Sequence, residues 1–123
     1  MITVICGIMF INDKDFIIAQ RPSSYEDPNK WEFPGGKLED NETYQQCLIR
    51  EWKEELNLDI QIKQQIYITE NDKYKLVYFN GKVNNLNTLQ MKEHKAIALV
   101  NTINVFDYDL FDEDKPMIQF IKP

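Results

Sequence analysis

Positive charge is in deficit in this sequence: 14 Lys and Arg stand against 20 Asp and Glu, a net charge of −6. An acidic surface repels nucleic-acid phosphate, which excludes a protein that coats duplex DNA, and no stable nucleic-acid complex is expected. It does not exclude a small phosphorylated ligand, because a divalent cation can invert the local sign. Cysteine is scarce too. Cys6 and Cys47 lie in apolar stretches without CxxC spacing, so they read as core residues of a reducing compartment rather than a disulfide framework. The single histidine, His94, falls in the polar stretch MKEHK and is expected on an exposed loop. No apolar run reaches the ~18 residues of a membrane span. Met1 leads straight into a strand-like segment with no visible signal peptide, so a cytoplasmic location away from membranes is expected. No repeat, low-complexity tract or linker interrupts the chain.

What is present suits a globular protein. Hydrophobic residues make up 43% and charged residues 28% of 123 positions, which argues against collagen, coiled coil and wholesale disorder. One domain over residues 1–123 is expected, large enough to bury roughly 65% of its unfolded surface without staples. Residues 2–11 (ITVICGIMFI) read as a buried strand, 12–15 as a turn and 16–20 (FIIAQ) as the second strand of a hairpin. Residues 22–30, with two prolines, read as a loop. Thr43 and Gln46 have capping-box spacing, and Tyr44, Leu48, Trp52 and Leu56 make one apolar stripe, so residues 43–57 read as a helix with Asn57 as a left-handed cap. Residues 58–68, 73–83 and 96–100 read as strands. A last helix is expected over about 114–121, with Pro116 in its first turn. This order suggests an α/β (α+β) sandwich, with a mixed sheet between helices.

The helix carries a second pattern. Glu51, Glu54 and Glu55 have i, i+3, i+4 spacing and cover an arc of about 100° beside the apolar stripe. Three carboxylates so close repel one another unless they are solvated or neutralised by a cation, and all-oxygen ligands suit Mg²⁺ or Mn²⁺ rather than zinc. Just upstream lie Gly35 and Gly36, where bare backbone can approach a phosphate or present a carbonyl to a metal. Lys37 follows, and Glu42 and Arg50 flank the cluster.

Together these residues resemble the Nudix hydrolase signature G-x5-E-x7-R-E-U-x-E-E-x-G-U, where U is apolar. Gly36, Glu42, Arg50, Glu51, Trp52, Glu54, Glu55 and Leu58 fill it, and only the final glycine differs, being Asn57. Asn tolerates the left-handed conformation of a helix cap, at under ~1 kcal/mol relative to glycine. The resemblance implies a Nudix-type α/β/α sandwich and an Mg²⁺-dependent reaction at a phosphoric anhydride, with Mn²⁺ as a possible substitute. Glu51, Glu54, Glu55 and the Gly35 carbonyl would hold the cations, Arg50 would orient Glu51, and Glu42 would fix the loop–helix geometry or simply favour the helix start. Water would attack phosphorus with Glu51 or a carboxylate outside the box as base. Glu93, just before the AIALV strand, is the candidate for that second position and for a further metal ligand; the alternative is a surface charge.

WEFPGGK (residues 31–37) is similar to the MutT-like branch, which cleaves nucleoside triphosphates, including oxidised ones, to monophosphate and pyrophosphate. The similarity implies that Arg21 and Lys37 bind the substrate and that Phe33 lines a base pocket, with Ile2, Val4 and Cys6 as its possible floor. For Arg21 the plain alternative is a surface residue, and for Phe33, Ile2, Val4 and Cys6 it is core packing. Asp114 occupies the place of a base-reading Asn or Asp. An acceptor there favours donor-rich bases such as cytosine derivatives or an oxidised purine. Asp114 could equally be the N-cap of the last helix. Within the same family, Tyr74 stands near where hydrolases of dinucleoside polyphosphates carry a tyrosine. Nucleoside diphosphate derivatives, RNA 5′ ends and non-catalytic nucleotide binding are the remaining alternatives. The partner expected is a small nucleotide, and the chain would be a monomer or homodimer.

Overall fold

The computed structural model describes residues 1–23 and 27–123; residues 24–26 of the expected loop 22–30 lie outside the described part. Seven strands form one sheet: β1 (Ile2–Phe10), β2 (Phe16–Gln20), β3 (Trp31–Glu32), β4 (Gly35–Lys37), β5 (Gln61–Glu70), β6 (Tyr74–Lys82) and β7 (Ala96–Val100). The sheet is mixed. β1 runs parallel to β6 over its whole length, and every other pairing is antiparallel.

β1 is apolar on both faces because both are covered. Ile5 and Met9 join Leu48, Trp52 and Leu56 of the helix in one core, while Cys6, Ile8 and Phe10 join Phe16, Tyr78, Met117 and Ile118 in the other. This period-2 division of a continuous apolar run is what a strand between two layers requires.

The helix α1 (Tyr44–Leu56) has the expected Thr43–Gln46 capping box, both halves formed. Asn57 ends it with φ 55°. Its side chain also donates to the Thr88 carbonyl at 2.9 Å, and Thr88 Oγ1 donates back to the Asn57 carbonyl at 2.8 Å. A glycine could supply the turn but not the first of these bonds.

Two expectations change. The strand expected over 58–68 runs from Gln61 to Glu70; Leu58 and Ile60 instead anchor the α1 core. The expected α-helix over 114–121 is a 3₁₀ segment, Asp112–Phe120. Starting at Asp112 puts Pro116 beyond the first turn, where its missing N–H breaks an α-helical ladder.

The sheet also explains where the site lies. β1 and β2 meet at Phe10–Phe16 and then diverge. β3 pairs with the far end of β2 and β4 with Val4–Cys6 of β1, so WEFPGGK fills the fork as a wedge.

Candidate functional site

The wedge is held by the carbonyl of Pro34. It accepts the Gly7 amide at 2.9 Å and the Trp52 Nε1–H at 2.9 Å, tying wedge, sheet and helix at one atom. Both glycines that follow have ordinary negative φ. Their role is space. A Cβ on Gly35 would fall 1.8 Å from the Ile5 carbonyl oxygen, and one on Gly36 would fall 2.2 Å from the Glu51 carboxyl carbon.

Arg50 is the hub of the helix face. Its Nε and Nη2 take both oxygens of Glu42, at 2.6 and 3.0 Å. Nη1 reaches Glu51 Oε1 at 2.8 Å and Glu54 Oε2 at 3.2 Å, and Nη2 also donates to the Lys37 carbonyl. The planar fork of a guanidinium serves several carboxylates at once. The Arg50 hydrogen bonds hold the Glu42 carboxyl down at about 2. Glu42 therefore braces the loop–helix junction rather than only meeting the helix dipole.

Glu55 is different. It is buried, its Oε2 has no hydrogen-bond partner among the described residues, and it faces the cavity described below. Burial first, then the charges of Glu51, Glu32 and Glu93, pushes its carboxyl up to about 10. Burial raises Glu51 as well, against the pull of Arg50. Among the described residues, no three acidic, histidine or cysteine side chains already converge closely enough to grip an ion; Glu51 and Glu54 lean toward Arg50. The donors are nonetheless all oxygen, and the orphaned Glu55 oxygen is the kind of group a hard divalent cation satisfies. The residues fit such an ion.

A cavity of about 380 Å³ opens beside this face. Gly35, Gly36, Lys37, Glu55 and Glu93 line one part of it; Val4, Cys6, Phe33 and Asp114 line another, and Arg21 and Tyr74 also border it. Ile2, expected with Val4 and Cys6 on the floor, does not border it. Phe33 does two things at once, packing 5.9 Å from the Phe16 ring and facing the cavity. Arg21 pairs with Glu32 at 3.2 Å and lies 5.1 Å above the Phe111 ring. A larger hollow of about 610 Å³, near Phe10 and Gly81, contains none of the expected site residues.

Asp114 is 3% exposed. Its Oδ2 accepts the Phe33 amide at 3.1 Å, and its Oδ1 accepts the Tyr78 hydroxyl. Burial lifts its carboxyl to about 7 against these two bonds. It is not a helix cap: the 3₁₀ segment begins two residues earlier and is preceded by Phe111. The same burial and the Asp114 charge hold the Tyr78 hydroxyl firmly protonated.

Three contributors went unforeseen. His94 is buried, not exposed, and its Nε2 lies 3.0 Å from Glu32 Oε2. Glu32 and Tyr78 stand within strands and carry no sequence mark beyond an acidic residue in WEFPGGK and an aromatic in an apolar run.

Comparison with known proteins agrees with this architecture. The NUDIX domain family model matches residues 1–121. A CTP pyrophosphohydrolase of Escherichia coli is 29% identical over 97% of this chain and 90% of its own length. An 8-oxo-dGTP diphosphatase of Proteus vulgaris is 46% identical over 46% of this chain and 51% of its own. A solved structure described as MutT, from work on Aliivibrio salmonicida and Vibrio cholerae, superposes with TM-score 0.79 at 24% identity. It covers 96% of this chain and 94% of that one.

Proposed function

Because this chain belongs to the NUDIX domain family of hydrolases, we propose that it is an Mg²⁺-dependent nucleoside triphosphate pyrophosphohydrolase, releasing a nucleoside monophosphate and pyrophosphate. The observation that carries this reading is the single cavity lined by the α1 carboxylate Glu55 with the Gly35–Gly36 turn and by the buried acceptor Asp114. Such a cavity suits a ligand with a polyphosphate at one end and a hydrogen-bonding base at the other.

Glu51, Glu54, Glu55, Glu93 and the Gly35 carbonyl would hold the cations, with Mn²⁺ able to replace Mg²⁺. When bound, these ions offset charge on the polyphosphate oxygens and favour deprotonation of the attacking water. Arg50 holds Glu51 and Glu54 through its guanidinium. Glu51 or Glu93 receives the proton from the water. Arg21 and Lys37 bind phosphate oxygens, while Phe33 offers its ring to the base. Asp114 spends one hydrogen bond on Phe33 and one on Tyr78, and its remaining lone pairs accept from a base's amino or ring N–H. The names of the relatives, a CTP pyrophosphohydrolase and 8-oxo-dGTP diphosphatases, point to donor-bearing bases of this kind. An acidic surface and the absence, among the described residues, of a helix long and apolar enough to cross a membrane fit a soluble enzyme of the nucleotide pool.

Tyr74 borders the same cavity and supports a second reading, hydrolysis of dinucleoside polyphosphates. Release of phosphate and pyrophosphate from a panel of standard and oxidised triphosphates, a dinucleoside polyphosphate and ADP-ribose separates the two. Pyrophosphate from one or two triphosphates is the expected result. Cleavage of the dinucleotide alone would replace the proposal by the second reading, and silence throughout would refute both.

A further inference from the structure

Glu93 stands on the segment between β6 and β7, and that segment is pinned on both sides of it. The Gln90 amide donates to the Leu56 carbonyl and the Lys92 amide to the Glu55 carbonyl, each at 3.0 Å; on the far side the Lys95 amide donates to the Gln20 carbonyl at 2.9 Å. The first two use carbonyls at the C-terminal end of α1, which a helix leaves without partners of its own. The third uses the end of β2, next to Arg21. Between these backbone pins the His94 side chain is buried. His94 is 3% exposed at its side chain, and its Nε2 meets Glu32 Oε2 at 3.0 Å while Glu32 Oε1 holds Arg21 at 3.2 Å.

Glu32 thus uses both carboxylate oxygens as anchors, one for the arginine of β2 and one for the residue next to Glu93. Its position is fixed independently by the β3–β2 pairing, opposite Ala19. The ring's Nδ1 is buried and has no hydrogen-bond partner among the described residues. Ordinary packing would not favour a buried imidazole with one nitrogen unserved. The bond at Nε2 is what the ring contributes, a buried side-chain tether immediately next to Glu93.

We infer that His94 is a positioning residue: by donating from Nε2 to Glu32 it holds Glu93 over the carboxylate face of α1, and it does so from the same carboxylate that orients Arg21. The inference rests on the part given to Glu93 in the reaction proposed above. It makes Glu32 the common reference for two groups contributed by distant parts of the chain.

The test is a double-mutant cycle with a structural readout. His94→Leu, His94→Gln, His94→Asn, Glu93→Gln and the double variant His94→Leu/Glu93→Gln are assayed on the preferred triphosphate. Backbone amide exchange of Lys92 and Glu93 is followed in the metal-free protein. Loss of the tether loosens the hold on the segment that carries Glu93, so His94→Leu should lower kcat about tenfold or more with KM for nucleotide nearly unchanged. The Lys92 and Glu93 amides should exchange faster while Leu48 in α1 does not. Gln can present an N–H at the Nε2 position and should restore both readouts; Asn is too short and should not. In the Glu93→Gln background, His94→Leu should add little. Multiplying losses, or a Gln variant as poor as the Leu and Asn variants, would overturn the tether while leaving the reaction intact. A Glu93→Gln enzyme with unchanged kcat would overturn the role of Glu93 and the inference with it. Should His94→Leu fail to fold, the Gln and Asn pair decides by the same contrast.

Discussion

Gly36 and Glu51 share a space that admits no side-chain carbon: a Cβ at Gly36 would fall 2.2 Å from the Glu51 carboxyl carbon and 2.4 and 2.5 Å from its oxygens. Gly36→Ala should therefore push Glu51 off Arg50. The backbone conformation is permissive, so the fold should survive. A displaced site carboxylate should lower kcat/KM by about 100-fold, with the circular dichroism spectrum unchanged. Full activity in the Ala variant would show that Glu51 works from another position.

Glu55 couples activity to stability with opposite signs. Its folded pKa is raised to about 10 above an ordinary value near 4.5, so the fold binds a proton that the unfolded chain releases. Stability of the metal-free protein is then complete below about pH 4.5 and declines as pH rises toward 10. A saturating divalent cation should remove this decline. Glu55→Gln should flatten it and raise Tm of the metal-free protein at pH 8, while lowering turnover by several orders of magnitude. Thermal melts from pH 5 to 9, with and without Mg²⁺, check both signs.

Asp114 should set which base is preferred. Asp114→Ala should reorder a nucleotide panel more than it lowers kcat on the best substrate, and an unchanged order would remove Asp114 from base recognition. The Asp114 carboxyl is lifted to about 7, so it too makes stability fall with rising pH, between about 4 and 7. Asp114→Asn should flatten that window, measurable by urea unfolding across it.

Arg50→Lys keeps the charge but loses the fork. A single ammonium cannot hold Glu42, Glu51 and Glu54 together, so kcat should drop by at least about tenfold. Glu42 gives a second readout. Its pKa, held near 2 by Arg50, contributes stability above about pH 4.5 that is lost as pH falls toward 2. The Lys variant should unfold at a higher pH during acid titration.

Local rules carried the sequence reading a long way. Thr43, Gln46, the four-residue stripe and Asn57 define α1 without tertiary information, because caps and periodicity are properties of the helix itself. β1 and β7 were legible because their apolar runs exceed what an exposed segment tolerates, and β6 because its residues alternate. The short strands Trp31–Glu32 and Gly35–Lys37 were not, since two or three residues have no period and exist only as partners of β2 and β1. The 3₁₀ geometry of Asp112–Phe120 escaped because Pro116 suits the first turn of any helix, and only the true start at Asp112 puts it too deep. Spacing alone put Glu51, Glu54 and Glu55 on one arc of α1 but did not separate a solvated acidic face from a cation site; the flanking Gly35, Gly36, Glu42 and Arg50 carried that reading. His94 was misjudged for the opposite reason: its burial depends on Glu32, 62 positions away, and its neighbours in sequence are all polar. For the glycines, position was visible but cause was not. They were expected to bare backbone to a ligand; the structure shows that Gly36 also leaves room for Glu51.

The Pro34 carbonyl, accepting from both Gly7 and Trp52, has a consequence for how the molecule comes into being. Its two donors lie 27 positions before it and 18 after it, so neither bond can form by local chain motion. α1 can coil early from its own caps, carrying its acidic face with it. That face acquires a roof only when the wedge docks, and docking must close two loops at a single oxygen atom. Closures of this kind follow the formation of a locally capped helix. A nascent or partly melted chain with α1 intact would accordingly hold its acidic face and still lack the glycine wedge beside it.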